Sequence, residues 1–344
     1  MNTHLTPVSV LAPFLTGLCL VALPVSAPSA QLDPDRGVWR TAAPAPTKRT
    51  EVAAWTLADK IYVVGGFEQP RLGNAMRLAI TPALEVYDPS TDRWTTKAPM
   101  PVGRHHVGLG VTGGRLYVIG GYKQSGFSGW HPVATVYAYD PARDTWAERA
   151  PMPTARGALS VAVHDGKLYA IGGYDGKANS AAVEVYDPVR NRWASRPPLP
   201  TPRDHLATAT VSGKVYAIGG RLNGDYRRNL AVTEVYDPVT DRWARVADLP
   251  TARSGITASE VGGRIYVFGG ESGEGTFRDN EAYDPGRDTW QALAPMPTGR
   301  HGLGSAVVGG RIHVLGGGPT PGGSFSDLNE VFIPPENKGG DVPK

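Results

Sequence analysis

The sequence predicts an all-β repeat protein: six consecutive units of roughly 50 residues, each holding four short strands, closed into a ring. Three observations predict it. A Gly-Gly pair ends an apolar run six times, at Gly65, Gly120, Gly172, Gly219, Gly269 and Gly316 as first members. Sixteen residues before each pair stands an arginine (Arg49, Arg104, Arg156, Arg203, Arg253, Arg300), and ten before each arginine a tryptophan (Trp39, Trp94, Trp146, Trp193, Trp243, Trp290). Finally, 43 glycines and 31 prolines in 344 residues exceed the usual share without reaching that of a low-complexity chain.

Composition narrows the function classes. A hydrophobic fraction of 41% supplies a core, and 19% charged residues with a net charge of +3 do not make nucleic acid the expected partner. One cysteine excludes a disulfide scaffold and cysteine-ligated zinc or iron–sulfur centres.

Residues 1–30 carry no Lys, Arg, Asp or Glu, and residues 8–23 are mostly apolar. With Val25-Ser26-Ala27 and Pro28-Ser29-Ala30 as small-residue cleavage sites, the segment reads as a secretory signal peptide. The apolar run is short for a span of ~20 residues, so the expectation is a secreted or periplasmic protein with no stable membrane insertion after the signal is removed. Leu18 before Cys19 does not fit a lipoprotein signal, and removal of the segment leaves a mature chain without a thiol.

Within each unit the first strand follows the arginine, as in Val107-Gly108-Leu109-Gly110-Val111. A tight turn such as Gly113-Gly114, Asp165-Gly166 or Ser212-Gly213 then calls for a hairpin with positive φ. The second strand, for example Leu116-Tyr117-Val118-Ile119, runs into the glycine pair, where a side chain would obstruct close backbone approach. The third ends in Tyr-Asp-Pro at Tyr87, Tyr139, Tyr186, Tyr236 and Tyr283, with Phe332 in a degraded sixth copy, and Asp-Pro begins the next turn. The tryptophan opens the fourth strand, and Ala-Pro-Met-Pro stops it in three units. Trp39 has no Tyr-Asp-Pro before it and the last unit has no tryptophan after it. The strand around Val38 is therefore expected to complete the sixth unit, removing an exposed edge.

These motifs, six times in register over about residues 38–334, resemble the kelch repeat. The resemblance implies a β-propeller, here six-bladed with four-stranded antiparallel blades. The remainder, residues 335–344, is expected to be a flexible tail.

Six internal copies separate what the fold needs from what a ligand needs. Features present in every copy are assigned to the blade: the tryptophans as buried core anchors, the glycine pairs, and Val52, Val107, Leu159, Leu206, Ile256 and Leu303 as core. The arginine ring admits two readings, capping of loop carbonyls or a cationic funnel, with capping favoured because it recurs in every copy. The basic turn residues Lys60, Arg115, Lys167, Lys214, Arg264 and Arg311 are expected as solvated charges on the opposite face.

Asymmetry is expected on one face, shared by the positions after each arginine and by the loops of variable length at 67–84, 122–135, 221–233 and 271–280. The ligand-binding candidates there are Glu51, Arg104, His105, His106, Trp130, His131, Asp204, His205, Tyr226, Arg227, Ser254, Phe277, Arg300 and His301. Histidines, aromatics and arginines together suit an interface or a sugar pocket. Imidazoles from blades two, four and six could hold an ion, but a channel rim is expected to keep them too far apart for bonds of ~2 Å, so no metal or cofactor is expected. Trp55 stands where the other copies have Gly110, Ala162, Ala209, Ser259 and Ala306, and is expected to plug part of the channel.

The resemblance leaves three functions to weigh. A monomeric, non-catalytic binding protein for a protein, peptide or carbohydrate is favoured. A copper radical oxidase of the galactose oxidase type shares the fold but implies a tyrosine–cysteine crosslink that the mature chain cannot make. An exported sugar mutarotase, similar in architecture to the periplasmic sialic acid mutarotase, is the alternative. Glu51, His106, Asp204 and His205 would supply its acid and base, and an arginine would hold a substrate carboxylate.

Overall fold

The computed structural model describes Met1, residues 34–70 and residues 79–336. Contacts divide the chain into Met1–Leu32 and Asp33–Lys344, and every described residue after Met1 belongs to the second unit. Residues 2–30 of the expected signal segment and residues 337–344 of the expected tail lie outside the described residues, and no described helix is long and apolar enough to cross a membrane.

Six four-stranded antiparallel sheets form the framework of the described residues. The first comprises Ala53–Leu57, Lys60–Val64, Leu84–Asp88 and Arg93–Lys97, and the next four repeat this order along the chain. In the sixth, Gly304–Val308, Arg311–Leu315 and Asn329–Ile333 are joined by the N-terminal Val38–Thr41, with Val38 opposite Ile333 and Thr41 opposite Glu330. The inner strands pack side by side around a channel, Ala53–Leu57 touching both Gly108–Thr112 and Gly304–Val308.

The hairpin between first and second strands takes positive φ at both turn residues, as at Asp165 (48°) and Gly166 (70°), because such turns match the right-handed strand twist. The basic residues after these turns are not simply solvated: Lys60 pairs with Asp88 at 2.8 Å and Arg115 with Asp140 at 3.2 Å, the aspartates being those of Tyr-Asp-Pro.

The aromatic roles differ from expectation. The fully buried ring in each blade is the tyrosine of Tyr-Asp-Pro, or Phe332, whereas all six repeat tryptophans are only half-buried. Each indole lies on the outer strand, where one face meets solvent, and its N–H reaches back to the preceding blade. Trp146 Nε1 donates to the Ala98 carbonyl at 2.8 Å and Trp39 Nε1 to that of Ala294 at 2.8 Å. The tryptophan is a staple between blades, and the tyrosine is the core anchor.

Each repeat arginine is buried, at most 1% exposed, and donates to the carbonyl of the first glycine in its own pair, as Arg203 Nε does to Gly219 at 2.7 Å. In five blades it also pairs with a buried glutamate two residues before the aromatic: Arg49–Glu85 at 2.6 Å, Arg156–Glu184 and Arg203–Glu234 at 2.5 Å, Arg253–Glu281, and Arg300–Glu330 at 2.7 Å. Blade two has Tyr137 at that place, and Arg104 instead lies 4.4 Å over its ring. The capping reading of the ring is the observed one. Arg104 and Arg300, expected on the ligand face, are therefore inside the blades, because their hydrogen-bonding groups hold the loop carbonyls.

Candidate functional site

The site arises where two loops of each blade meet on one face. The residue after each arginine bridges to the residue after the glycine pair: Thr50 to Phe67, His105 to Tyr122, Gly157 to Tyr174, Asp204 to Arg221, Ser254 to Glu271 and His301 to Gly318. The variable loops and the post-arginine positions thus share a face.

One residue further on, all six chains turn left-handed: Glu51 (φ 55°), His106 (53°), Ala158 (52°), His205 (53°), Gly255 (66°) and Gly302 (59°). Their amides join nose to tail around the channel. His106 N donates to Glu51 O at 3.4 Å, Ala158 to His106 at 3.0 Å, His205 to Ala158 at 2.9 Å, Gly255 to His205 at 3.0 Å and Gly302 to Gly255 at 2.9 Å. Val52 N closes the circle on Gly302 O at 3.2 Å. A left-handed conformation costs a non-glycine residue ~1–2 kcal/mol, so side chains kept there are informative. Replacing Ala158 by glycine is expected to leave stability within about 1 kcal/mol of wild type, on the stabilising side, because relief of strain outweighs the added chain entropy. A denaturant midpoint shift with unchanged slope would measure it.

Glu51, His106 and His205 are the three ring positions with functional side chains, and they bound a cavity of about 140 Å³ in the upper channel. A second cavity of about 270 Å³ lies along the inner strands, lined by Thr56, Val163 and Thr210, and Trp55 borders both. The expected separation concerned the imidazoles of blades two, four and six; those of blades two and four approach each other, and the third member of the close group is Glu51 of blade one, not His301. The candidate donor atoms of Glu51, His106 and His205 lie within 4.8 Å of one another, because the left-handed turns direct them together, and the His106 and His205 rings are 4.8 Å apart.

Around them the mouth has two chemically different halves. Blades one and two form an aromatic wall, with Phe67 stacked 3.9 Å from His105 and Trp130 4.8 Å from His105 and 5.3 Å from Tyr122. Trp130 comes from the hairpin of Tyr122–Ser125 and Ser128–Pro132 and is half-exposed. Blades four to six form a charged network. Arg221 donates to Asp204 (3.3 Å), Glu271 (2.7 Å) and His205 Nε2 (2.7 Å), and Asp204 holds His205 Nδ1 at 2.5 Å. Glu51 Oε2 lies 3.1 Å from His106 Nε2, while His301 Nε2 stands 3.7 Å from Glu51 and 3.6 Å from Glu271.

Burial holds His105 down at about 4, and the same cause, reinforced by His105, His205 and Arg221, holds His106 well below the ordinary imidazole range. Burial alone would raise Asp204 and Glu271. For Asp204 it is outweighed by the His205 hydrogen bond and charge and by the Gly224 N–H. For Glu271 it is outweighed by His301, Arg221 and the Gly322 N–H, so both carboxylates sit below their usual values.

Of the remaining expected residues, Ser254 is buried and donates to Asn229 at 2.7 Å. Tyr226 is half-buried, its ring 5.9 Å from Arg221. Arg227 is exposed and paired with Asp225 at 2.9 Å, His131 is exposed on the blade-two hairpin, and Phe277 is half-buried in the blade-five loop. Phe67, Tyr122, Arg221 and Glu271 are site residues that the post-arginine comparison passes over. Their signal was the position immediately after each glycine pair, which reads Phe, Tyr, Tyr, Arg, Glu and Gly in the six copies.

Comparison with known proteins supports the repeat assignment. The domain described as KLHDC2/KLHL20/DRC7 Kelch-repeats domain matches residues 79–248 and 198–333, and the Kelch motif matches residues 48–101. Similar curated proteins include Kelch-like protein terF of Aspergillus terreus, 31% identical over 46% of this chain and 36% of its own length. Beta-scruin of Limulus polyphemus is 35% identical over 36% of this chain and 13% of its own length. Kelch-like protein 35 of Mus musculus is 31% identical over 41% of this chain, which spans 22% of that protein. The chain thus spans well under half the length of these relatives. Among solved structures, that titled "Structure of YjhT" aligns with TM-score 0.72 at 18% identity, covering 86% of this chain and 97% of the other, and shows the common fold. With the repeat domain matched over most of its length, the chain belongs to the kelch-repeat family as a kelch β-propeller.

Proposed function

We propose that this kelch propeller is an exported binding protein that takes a carbohydrate at the front mouth of its channel. The propeller fold supports a binding role, and one observation favours a sugar: the half-exposed Trp130 stands at the edge of a buried network of carboxylates, imidazoles and a guanidinium. An aromatic face stacks on the apolar face of a pyranose while polar groups satisfy its hydroxyls, and concave pockets of this mixed kind hold small ligands better than flat protein surfaces. Export rests on the uncharged apolar segment at residues 1–30, and N-terminal sequencing of the secreted protein should begin after residue 27 or 30.

A glycan array followed by calorimetry on the best binder is the test. Trp130→Ala is expected to weaken binding about 30-fold, the equivalent of about 2 kcal/mol, with an unchanged melting temperature because the ring is half in solvent. Absence of any glycan ligand, or an unaffected affinity in this variant, would reject the reading.

A mutarotase is the second reading, favoured by the 3.1 Å contact of Glu51 with His106, which places an acid–base pair at the cavity. Arg221 is not free to clamp a substrate carboxylate, since Asp204, Glu271 and His205 already occupy it. Interconversion of single anomers followed by NMR decides it: a rate equal to buffer removes the activity and leaves binding.

A further inference from the structure

We infer that Glu51, His106 and His205 form a binding site for one divalent first-row transition-metal ion at the front mouth of the channel. The proton positions in the imidazole chain carry the inference. The Gly129 carbonyl can only accept, so His105 Nε2, 2.8 Å away, donates to it. Neutral His105 then has a bare Nδ1, and the 2.5 Å contact between the two Nδ1 atoms requires the proton on His106. This leaves His106 Nε2 as a lone pair facing the Glu51 carboxylate at 3.1 Å. Two acceptors in contact need a proton or a cation between them.

His205 is set the same way. Its Nδ1 donates to Asp204 at 2.5 Å, so its Nε2 carries the lone pair, which accepts from Arg221 at 2.7 Å. A carboxylate behind an imidazole is the arrangement that fixes ring orientation and raises basicity in metal-binding histidines. Here Asp204 supplies it for His205, and the His105–Gly129 relay supplies its counterpart for His106.

Backbone and charge agree. The ring of left-handed residues keeps strained Glu51, His106 and His205 together, while its other members are Ala158, Gly255 and Gly302, which leave the centre clear. Glu51 lies so close over Gly302 that a Cβ there would stand 2.6 Å from the carboxyl carbon. Asp204 and Glu271 share the Arg221 guanidinium, whereas Glu51 faces only the imidazoles of His106 and His301, so a divalent cation there offsets a carboxylate that Arg221 does not pair.

Two imidazoles and a carboxylate suit Zn²⁺, Co²⁺ or Fe²⁺ and leave coordination positions open toward the 140 Å³ cavity. Ligands sharing an ion through bonds of ~2.1 Å stand about 3.4 Å apart, so the 4.8 Å span closes by about 1.4 Å on binding. Arg221 then yields its bond to His205 and keeps those to Asp204 and Glu271.

The inference is independent of the sugar reading, because metal uptake is measured with no sugar present. Chelator-treated full-length protein is titrated with Zn²⁺ by calorimetry and with Co²⁺ by visible absorption. One equivalent per chain, Co²⁺ ligand-field bands and a raised melting temperature are expected. Glu51→Gln and His106→Gln should each weaken binding by more than about 100-fold, whereas His131→Gln, on the same face, should not change it. If one variant fails to fold, the other decides. Wild-type protein that takes up no equivalent of either ion assigns the Glu51–His106 contact to a shared proton and overturns the inference, as does uptake unaffected in a folded variant.

Discussion

Glu184→Ala is expected to lower the stability of the propeller by about 3–5 kcal/mol, a large share of the margin of an ordinary domain. Arg156 is 0% exposed and its guanidinium is distributed over the Gly172, Ala170 and Thr154 carbonyls and the Glu184 carboxylate. Removing the carboxylate leaves a buried cation against neutral partners and frees the Thr154 hydroxyl that Glu184 holds at 2.7 Å. Burial already lowers the Arg156 pKa against the opposing pull of Glu184, so the direction of the effect follows from what remains. The loss belongs to the unpaired charge, not to the net strength of the pair. Arg156→Met combined with Glu184→Leu should therefore cost less than the single change, which chemical denaturation can establish. The exposed Arg190–Asp187 pair at 2.7 Å gives the contrast, and Arg190→Ala should produce no measurable shift. Equal midpoints for Glu184→Ala and wild type would contradict the assignment of the arginine ring to the interior.

Gly220→Ala is expected to cost about 3 kcal/mol or more and to expose hydrophobic surface at the junction of blades four and five. Its φ is 105°, and an added Cβ would stand 2.8 Å from the Asp204 carbonyl oxygen, a backbone atom that cannot rotate aside. Arg221, the next residue, bridges to Asp204, so displacement of this turn also disturbs the network holding His205. A lowered unfolding midpoint together with loss of ligand binding is the expected pair of results. At Gly224, where nothing lies within 4 Å of an added Cβ, alanine meets no steric obstacle, only its φ of 68°, and a smaller loss follows. Comparable losses at the two positions would show that conformation rather than close approach governs the glycine pair.

Repetition made much of the architecture legible. The spacing of Trp, Arg and Gly-Gly recurs because each interval is a run of backbone with a set length, and Val38 pairing with Ile333 follows from the missing outer strand. The same repetition concealed partners. Five of the six residues two places before the aromatic are glutamates that neutralise the arginines, yet linear sequence shows neither the pairing nor that Tyr137 replaces one beneath Arg104. The tryptophans read as core because bulk suggests burial, while their outer-strand position leaves one side wet.

What the sequence by itself determined was the unit, its turns and the way the ends join, since these depend on local torsions and on side-chain alternation over a few residues. Only the tertiary structure decided which groups face one another at the channel mouth. Glu51, His106 and His205 come from three different blades, and their approach depends on ring curvature, a left-handed turn at each and the direction of each side chain. Arg221 and Glu271 entered the site for the same reason: a one-residue bridge between two loops, invisible in linear order, puts charge beside charge.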